Sequence, residues 1–201
     1  MTAKPEPLPA AGAAATAMFI EVLVVGIGAL SALVLLVAAA VGPRNFFNIA
    51  NHTNSPLIAG AALALAYTLG ILIDRAADTA LAPLRRRMRA LSFSSDADYA
   101  AARLVLTTMP ALAARAEYAR SRIRVCRGWL LNAVVLTVAT DLVIWRLNPK
   151  ERIWLVLLAT CVGAALCAGC FLTWRTVVAA NYRKLAEQTT TAASNPQGPV
   201  S

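Results

Sequence analysis

Glu21 and Asp141 are the acidic residues that lie inside apolar stretches of this chain. An ionisable group in such surroundings is costly, and in a lipid environment it marks an ion path, a proton relay or a polar contact between helices. Asp141 has Thr137 one helical turn before it on the same face. Their oxygens could hold an ion or a proton, or simply tie two helices together. Arg44, His52, Lys150 and Arg152 are the bases that could reach Asp141 from its side of the chain. For Glu21, near the start of the first apolar stretch, Arg75 is the expected partner. Asn132 lies nine residues before Asp141, which is two and a half turns, so it addresses a different helix face.

Cys167-Ala-Gly-Cys170 has the spacing of a dithiol pair. Such a pair could exchange a disulfide, and a thiol–quinone oxidoreductase is the enzyme class it would imply. No second pair stands in a loop to relay electrons, however. Ala159, Gly163 and Cys167 recur every fourth residue, which is a spacing that lets helices approach closely in lipid. Ala62, Ala66 and Gly70 repeat the device earlier in the chain, as do Gly28 and Ala32. Close helix contact is therefore the reading for these residues. His52 has no Cys or acid beside it, and the chain has no metal-ligand spacing, nucleophile elbow or paired carboxylates. No catalytic residue, metal or cofactor is expected.

Arginine is the remaining chemistry. The segment 74–128 holds eleven of the 19 Lys and Arg residues against five acids. Arg85, Arg86, Arg87 and Arg89 alternate with Leu81, Leu84, Met88 and Leu91 as the two faces of an amphipathic helix. Such a helix suits an anionic membrane surface. Arg120, Arg124 and Arg127 form one stripe of a later helix, with Arg115 and Arg122 opposite. Two stripes suit an upright helix that pairs with Asp96, Asp98 or another subunit. Guanidinium forks also match phosphate, so a soluble acidic ligand is a second partner class. No glycine-rich phosphate loop or interleaved aromatics occurs, which disfavours nucleic acid.

Composition says what positions these groups. Of 201 residues, 59% are hydrophobic and 14% charged, with a formal net charge of +9 from sixteen Arg and three Lys against ten acids. Mean hydropathy is +0.62. A soluble domain carries about 25% charged residues, so much of this surface must face something apolar. The Ala and Arg bias points to a bacterial source. Four cysteines, none in an exterior loop, make a disulfide framework unexpected.

The expected elements follow from the apolar runs. Residues 1–16, with three prolines, read as a disordered tail. Ala17–Val41 is a first span, closed by Gly42-Pro43, and residues 43–55 are a polar connection. Leu57–Ile73 is a second span of seventeen residues, stopped by Asp74-Arg75. About 20 residues cross a ~30 Å hydrocarbon core. Pro83 places the start of the amphipathic helix near Ala82, and Ser92–Ser95 end it. Ser95 with Asp98 forms a capping pattern for the next helix, and Pro110 opens a long one that runs to Trp145. Trp129 and Trp145 bracket a third span, Trp154 and Trp174 a fourth, as an aromatic belt would. After Trp174 a polar tail is expected.

The expected fold is thus an all-α integral membrane protein with four transmembrane helices in two hairpins, 17–73 and 129–174. A basic helical segment, 74–128, lies between them, and residues 175–201 form a C-terminal tail. Fifteen basic residues on the side of the termini against four on the other place both termini in the cytoplasm of a bacterial inner membrane. The expected function is non-enzymatic: a self-associating membrane protein whose basic helices receive a signal or partner, with a pore as one form of response. Its partners would be the lipid bilayer with its anionic headgroups and further copies of itself or another membrane protein. An anchor for a partner protein is the second class.

Overall fold

A computed structural model describes residues 9–50, 56–108, 110–147 and 150–194. All the elements among them are α-helices: α1 (Pro9–Val41), α2 (Pro43–Ala50), α3 (Pro56–Ala90), α4 (Asp96–Thr108), α5 (Pro110–Leu147) and α6 (Arg152–Ser194). Four of these are long and apolar enough to cross a membrane: α1 from Ala15, α3, α5 from Tyr118, and α6 as far as Glu187.

Two helix boundaries follow from local chemistry. Gly42, at φ +98°, breaks α1 from α2 in a conformation that side-chain-bearing residues rarely adopt. The Ser95 hydroxyl accepts the Asp98 amide at 3.1 Å and starts α4, as its spacing predicts.

Other boundaries differ from expectation. Helix α1 begins at Pro9, so residues 9–16 of the expected disordered tail are helical, and residues 1–8 lie outside the described residues. Within the expected polar connection, residues 43–50 form the short helix α2, while His52 lies outside the described residues. Helix α3 does not stop at Asp74-Arg75 or restart at Pro83; it runs unbroken to Ala90 with Pro83 inside. A proline in a helix interior costs ~3 kcal/mol through its missing N–H and its clash with the preceding turn. Burial of Leu81, Leu84 and Met88 against Trp174, Val178 and Tyr182 of α6 opposes that cost. Helix α6 likewise continues past Trp174 to Ser194, so the expected tail is helical that far; residues 195–201 lie outside the described residues.

Contacts fix the arrangement. Helix α1 packs against both α3 and α5, and α6 packs along α5. Gly26 and Gly70 bring α1 and α3 together backbone to backbone: a Cβ at Gly26 would collide with the Ala66 carbonyl, and one at Gly70 with that of Val22. These pairs run in opposite chain directions. Glu21 opposite Arg124, Val25 opposite Gly128 and Val25 opposite Asn132 set α1 and α5 in the same direction. Cys167 opposite Leu130 and Thr160 opposite Asp141 set α5 and α6 in opposite directions. Helix α1 is the best enclosed, with Val25 and Ala32 each 1% exposed. The outer side of α6 presents Leu158, Val162 and Leu172 to the surroundings.

At the basic end, a small core gathers Trp174, Val178 and Tyr182 with Leu81, Leu84, Met88, Phe93, Tyr99, Ile123 and Cys126. Tyr182 makes edge contacts with both Phe93 and Tyr99. Two sequence readings change here. The apolar face of the 81–88 stretch is covered by protein rather than left open to lie on lipid. Trp174 is 1% exposed and belongs to this core, whereas Trp145 and Trp154 at the opposite end are 58% and 73% exposed.

Candidate functional site

Where α1, α3 and α5 meet the basic segment, six charged side chains form one layer. Asp74 and Asp78 are one turn apart on α3, and Arg85 lies two turns further along the same face. Arg127 of α5 holds Asp74 as a fork: Nε donates to Oδ1 and Nη2 to Oδ2, both at 2.9 Å. Its Nη1 donates to Asp78 Oδ1, which also accepts from Arg85 Nη1. Arg124 reaches Glu21 of α1 at 3.4 Å and Asp74 at 3.9 Å, and the Ser121 hydroxyl donates to Glu21 Oε1. Three carboxylates face three guanidiniums, so the layer is neutral. The side chains of Asp74 and Arg127 are only 13% and 14% exposed, and each charge has a partner, as burial at that depth requires.

This layer corrects the partner expected for Glu21. Parallel alignment of α1 and α5 places Arg124 and Ser121 beside it, while Arg75 is exposed on α3. It also divides the basic residues. Arg85, Arg124 and Arg127 are committed to it, and Arg89 pairs with Asp96 at 2.9 Å and lies over the Tyr99 ring. Arg86, Arg87 and Arg120 are exposed. Within the stripe of Arg120, Arg124 and Arg127, the last two belong to this layer. No sequence signal identifies Arg127 as the centre of the layer, because its carboxylates lie some fifty residues away.

The second polar region is the seam between α5 and α6. Thr160 of α6 donates to Asp141 Oδ2 at 2.9 Å, and Asp141 Oδ1 is buried with no hydrogen-bond partner. One turn down, Thr137 donates to the Ala133 carbonyl at 2.7 Å, and its hydroxyl fills the space over Gly163. Further along, the Cys167 thiol points at the Leu130 carbonyl at 3.5 Å. Arg152, one of the expected partners of Asp141, lies over the Trp145 ring at 4.6 Å; Arg44 and Lys150 are exposed.

On the opposite side of α5, Asn132 is fully buried and donates to the Val25 carbonyl of α1 at 2.7 Å. It shares no site with Asp141, in keeping with their spacing. Its Oδ1 has no hydrogen-bond partner. The small residues divide by face: Ala66 and Gly70 are buried against α1, Ala159, Gly163 and Cys167 are half-buried, and Ala62 is half-buried on α3. Ala165 and Gly169 instead face outward, with open space around Gly169.

No protein-family model matches this chain, and neither the curated proteins nor the solved structures contain a match to it.

Proposed function

We propose that this is a non-enzymatic, self-associating protein of a bacterial inner membrane, whose basic cytoplasmic helices receive an acidic partner and whose membrane bundle responds. The observation that carries this reading is continuity. Helices α3, α5 and α6 each pass from an apolar stretch into the basic region without a break, so force or rotation applied to one end has a rigid path to the other. The neutral charge layer stands at the crossing point and couples three helices there. In this reading α1 with α3 and α5 with α6 are the two membrane hairpins, and the asymmetry of fifteen basic residues against four sets the orientation.

Distance along α3 favours a soluble acidic partner over lipid for Arg86 and Arg87. They follow Asp74 by twelve and thirteen residues, or about 18–20 Å of helix. The headgroup layer is about 6 Å deep and a Debye length is about 8 Å in physiological salt. Their guanidiniums therefore stand in solvent, where they suit an anionic soluble ligand.

Light scattering of the full chain purified in mild detergent tests the self-association. A mass of two or more copies is expected, and a strict monomer at all concentrations would overturn it.

A further inference from the structure

The Asp141 region has its hydrogens spent and its lone pairs left over. Thr160 gives its proton to Asp141 Oδ2, and Thr137 gives its own to the Ala133 carbonyl. Both hydroxyl oxygens keep acceptor capacity. Asp141 Oδ1 is buried and accepts nothing. An orphaned buried carboxylate oxygen carries the desolvation penalty of an unmet acceptor, which is larger for a charged group than for a neutral one. Positive charge without directional demands would satisfy Oδ1, with the Thr160 oxygen on the same carboxylate and the Thr137 oxygen one helical turn away as further lone pairs.

The surrounding charges do not supply it. At this end of α2, α5 and α6 stand Arg44, Arg146, Lys150, Glu151 and Arg152. Arg152 is stacked on Trp145, the other four are exposed, and none donates to Asp141 Oδ1. The position is close to the end of the apolar stretch: four residues separate Asp141 from Trp145, about 6 Å of helix. An ion from the outer solution has a short way to travel.

We infer that Asp141, Thr160 and Thr137 form a binding site for a small monovalent cation in the seam between α5 and α6. One carboxylate neutralises one positive charge, and hydroxyl oxygens are hard ligands that suit an alkali ion or a proton rather than a thiophilic metal. Because the site bridges Asp141 and Thr137 of α5 to Thr160 of α6, occupancy strengthens that seam. The inference takes from the proposed function only the lipid surroundings of the seam; it does not depend on self-association or on an acidic partner.

The test uses the full chain in lipid nanodiscs, with ²²Na⁺ as the probe and choline chloride holding ionic strength constant. Saturable binding of about one ion per chain is expected, with a rise of about 5 °C in Tm as Na⁺ replaces choline. Asp141→Asn abolishes both, and Thr160→Val, which keeps the carboxylate, weakens binding about tenfold. Competition by K⁺ ranks the alkali ions. If neither Na⁺ nor K⁺ binds but Tm depends on pH in the wild type and not in Asp141→Asn, the cation is the proton. Equal responses of wild type and Asp141→Asn to Na⁺, K⁺ and pH would overturn the site. So would a wild type that responds to none of them, a result that stands even if Asp141→Asn cannot be purified. A monomer that binds Na⁺ would refute self-association and leave this site intact.

Discussion

Arg127 shows how much of the molecule rests on single side chains. It supplies three donors to two carboxylates of another helix, and its own side chain is 14% exposed. Removing one partner of a buried pair leaves uncompensated charge and costs about 3–5 kcal/mol. Arg127→Ala is expected to fall at the low end, by about 3 kcal/mol, because Arg124 still faces Asp74 and Arg85 still faces Asp78. Arg127→Lys restores charge but not the fork and recovers only part of the loss. Thermal unfolding of the detergent-solubilised variants measures this, with Arg86→Ala as a control expected to shift stability by no more than about 0.5 kcal/mol. Equal effects of Arg127→Ala and Arg86→Ala would show that the layer holds nothing together. In the sequence these two arginines look alike. Only the packing of α3 against α5 separates the structural guanidinium from the exposed one, and that packing depends on contacts about fifty residues apart.

At the scale of elements, the apolar runs, the small-residue rows and the boundaries at Gly42, Ser95 and Pro110 were legible, and the stops expected at Asp74, Pro83 and Trp174 were not. The runs register because a bilayer-length helix must be apolar throughout. Pro83, Asp74 and the polar residues after Trp174 read as stops, since local propensity cannot see the apolar cluster that Leu81, Leu84 and Met88 join on α6. Small-residue rows carried a second ambiguity: spacing marks a close-contact face but does not say whether another helix fills it. Glycines now separate by environment. A methyl at Gly26 or Gly70 would meet a carbonyl of the facing helix, whereas Gly60 and Gly169 have nothing within 4 Å. Gly26→Ala and Gly70→Ala should therefore force α1 from α3 and lower stability by about 1–3 kcal/mol. Gly60→Ala and Gly169→Ala should be neutral or slightly stabilising, through better helix propensity. Thermal unfolding of the four variants gives the ordering, and a destabilised Gly169→Ala would place a partner on the outer side of α6.

For the whole molecule, charge and hydrophobicity describe one gradient. The end that holds the charge layer is packed and neutral inside, with a basic exterior beyond it; the other end exposes Trp145 and Trp154 and carries few charges. Exposed tryptophans are at home at a lipid–water boundary, because the ring is apolar and its N–H is not. Trp174 cannot mark the opposite boundary, being enclosed by protein. In the proposed reading that boundary lies at the charge layer of Glu21, Asp74 and Arg127. A membrane slab between the two levels leaves the turn at Ser94 and the turn at Lys150 on opposite sides, both exposed. With the four native cysteines replaced, Lys150→Cys is expected to react with a membrane-impermeant maleimide in intact cells. Ser94→Cys is expected to react only after permeabilisation. The reverse pattern would turn the protein over and place Arg86 and Arg87 where no cytoplasmic partner could meet them.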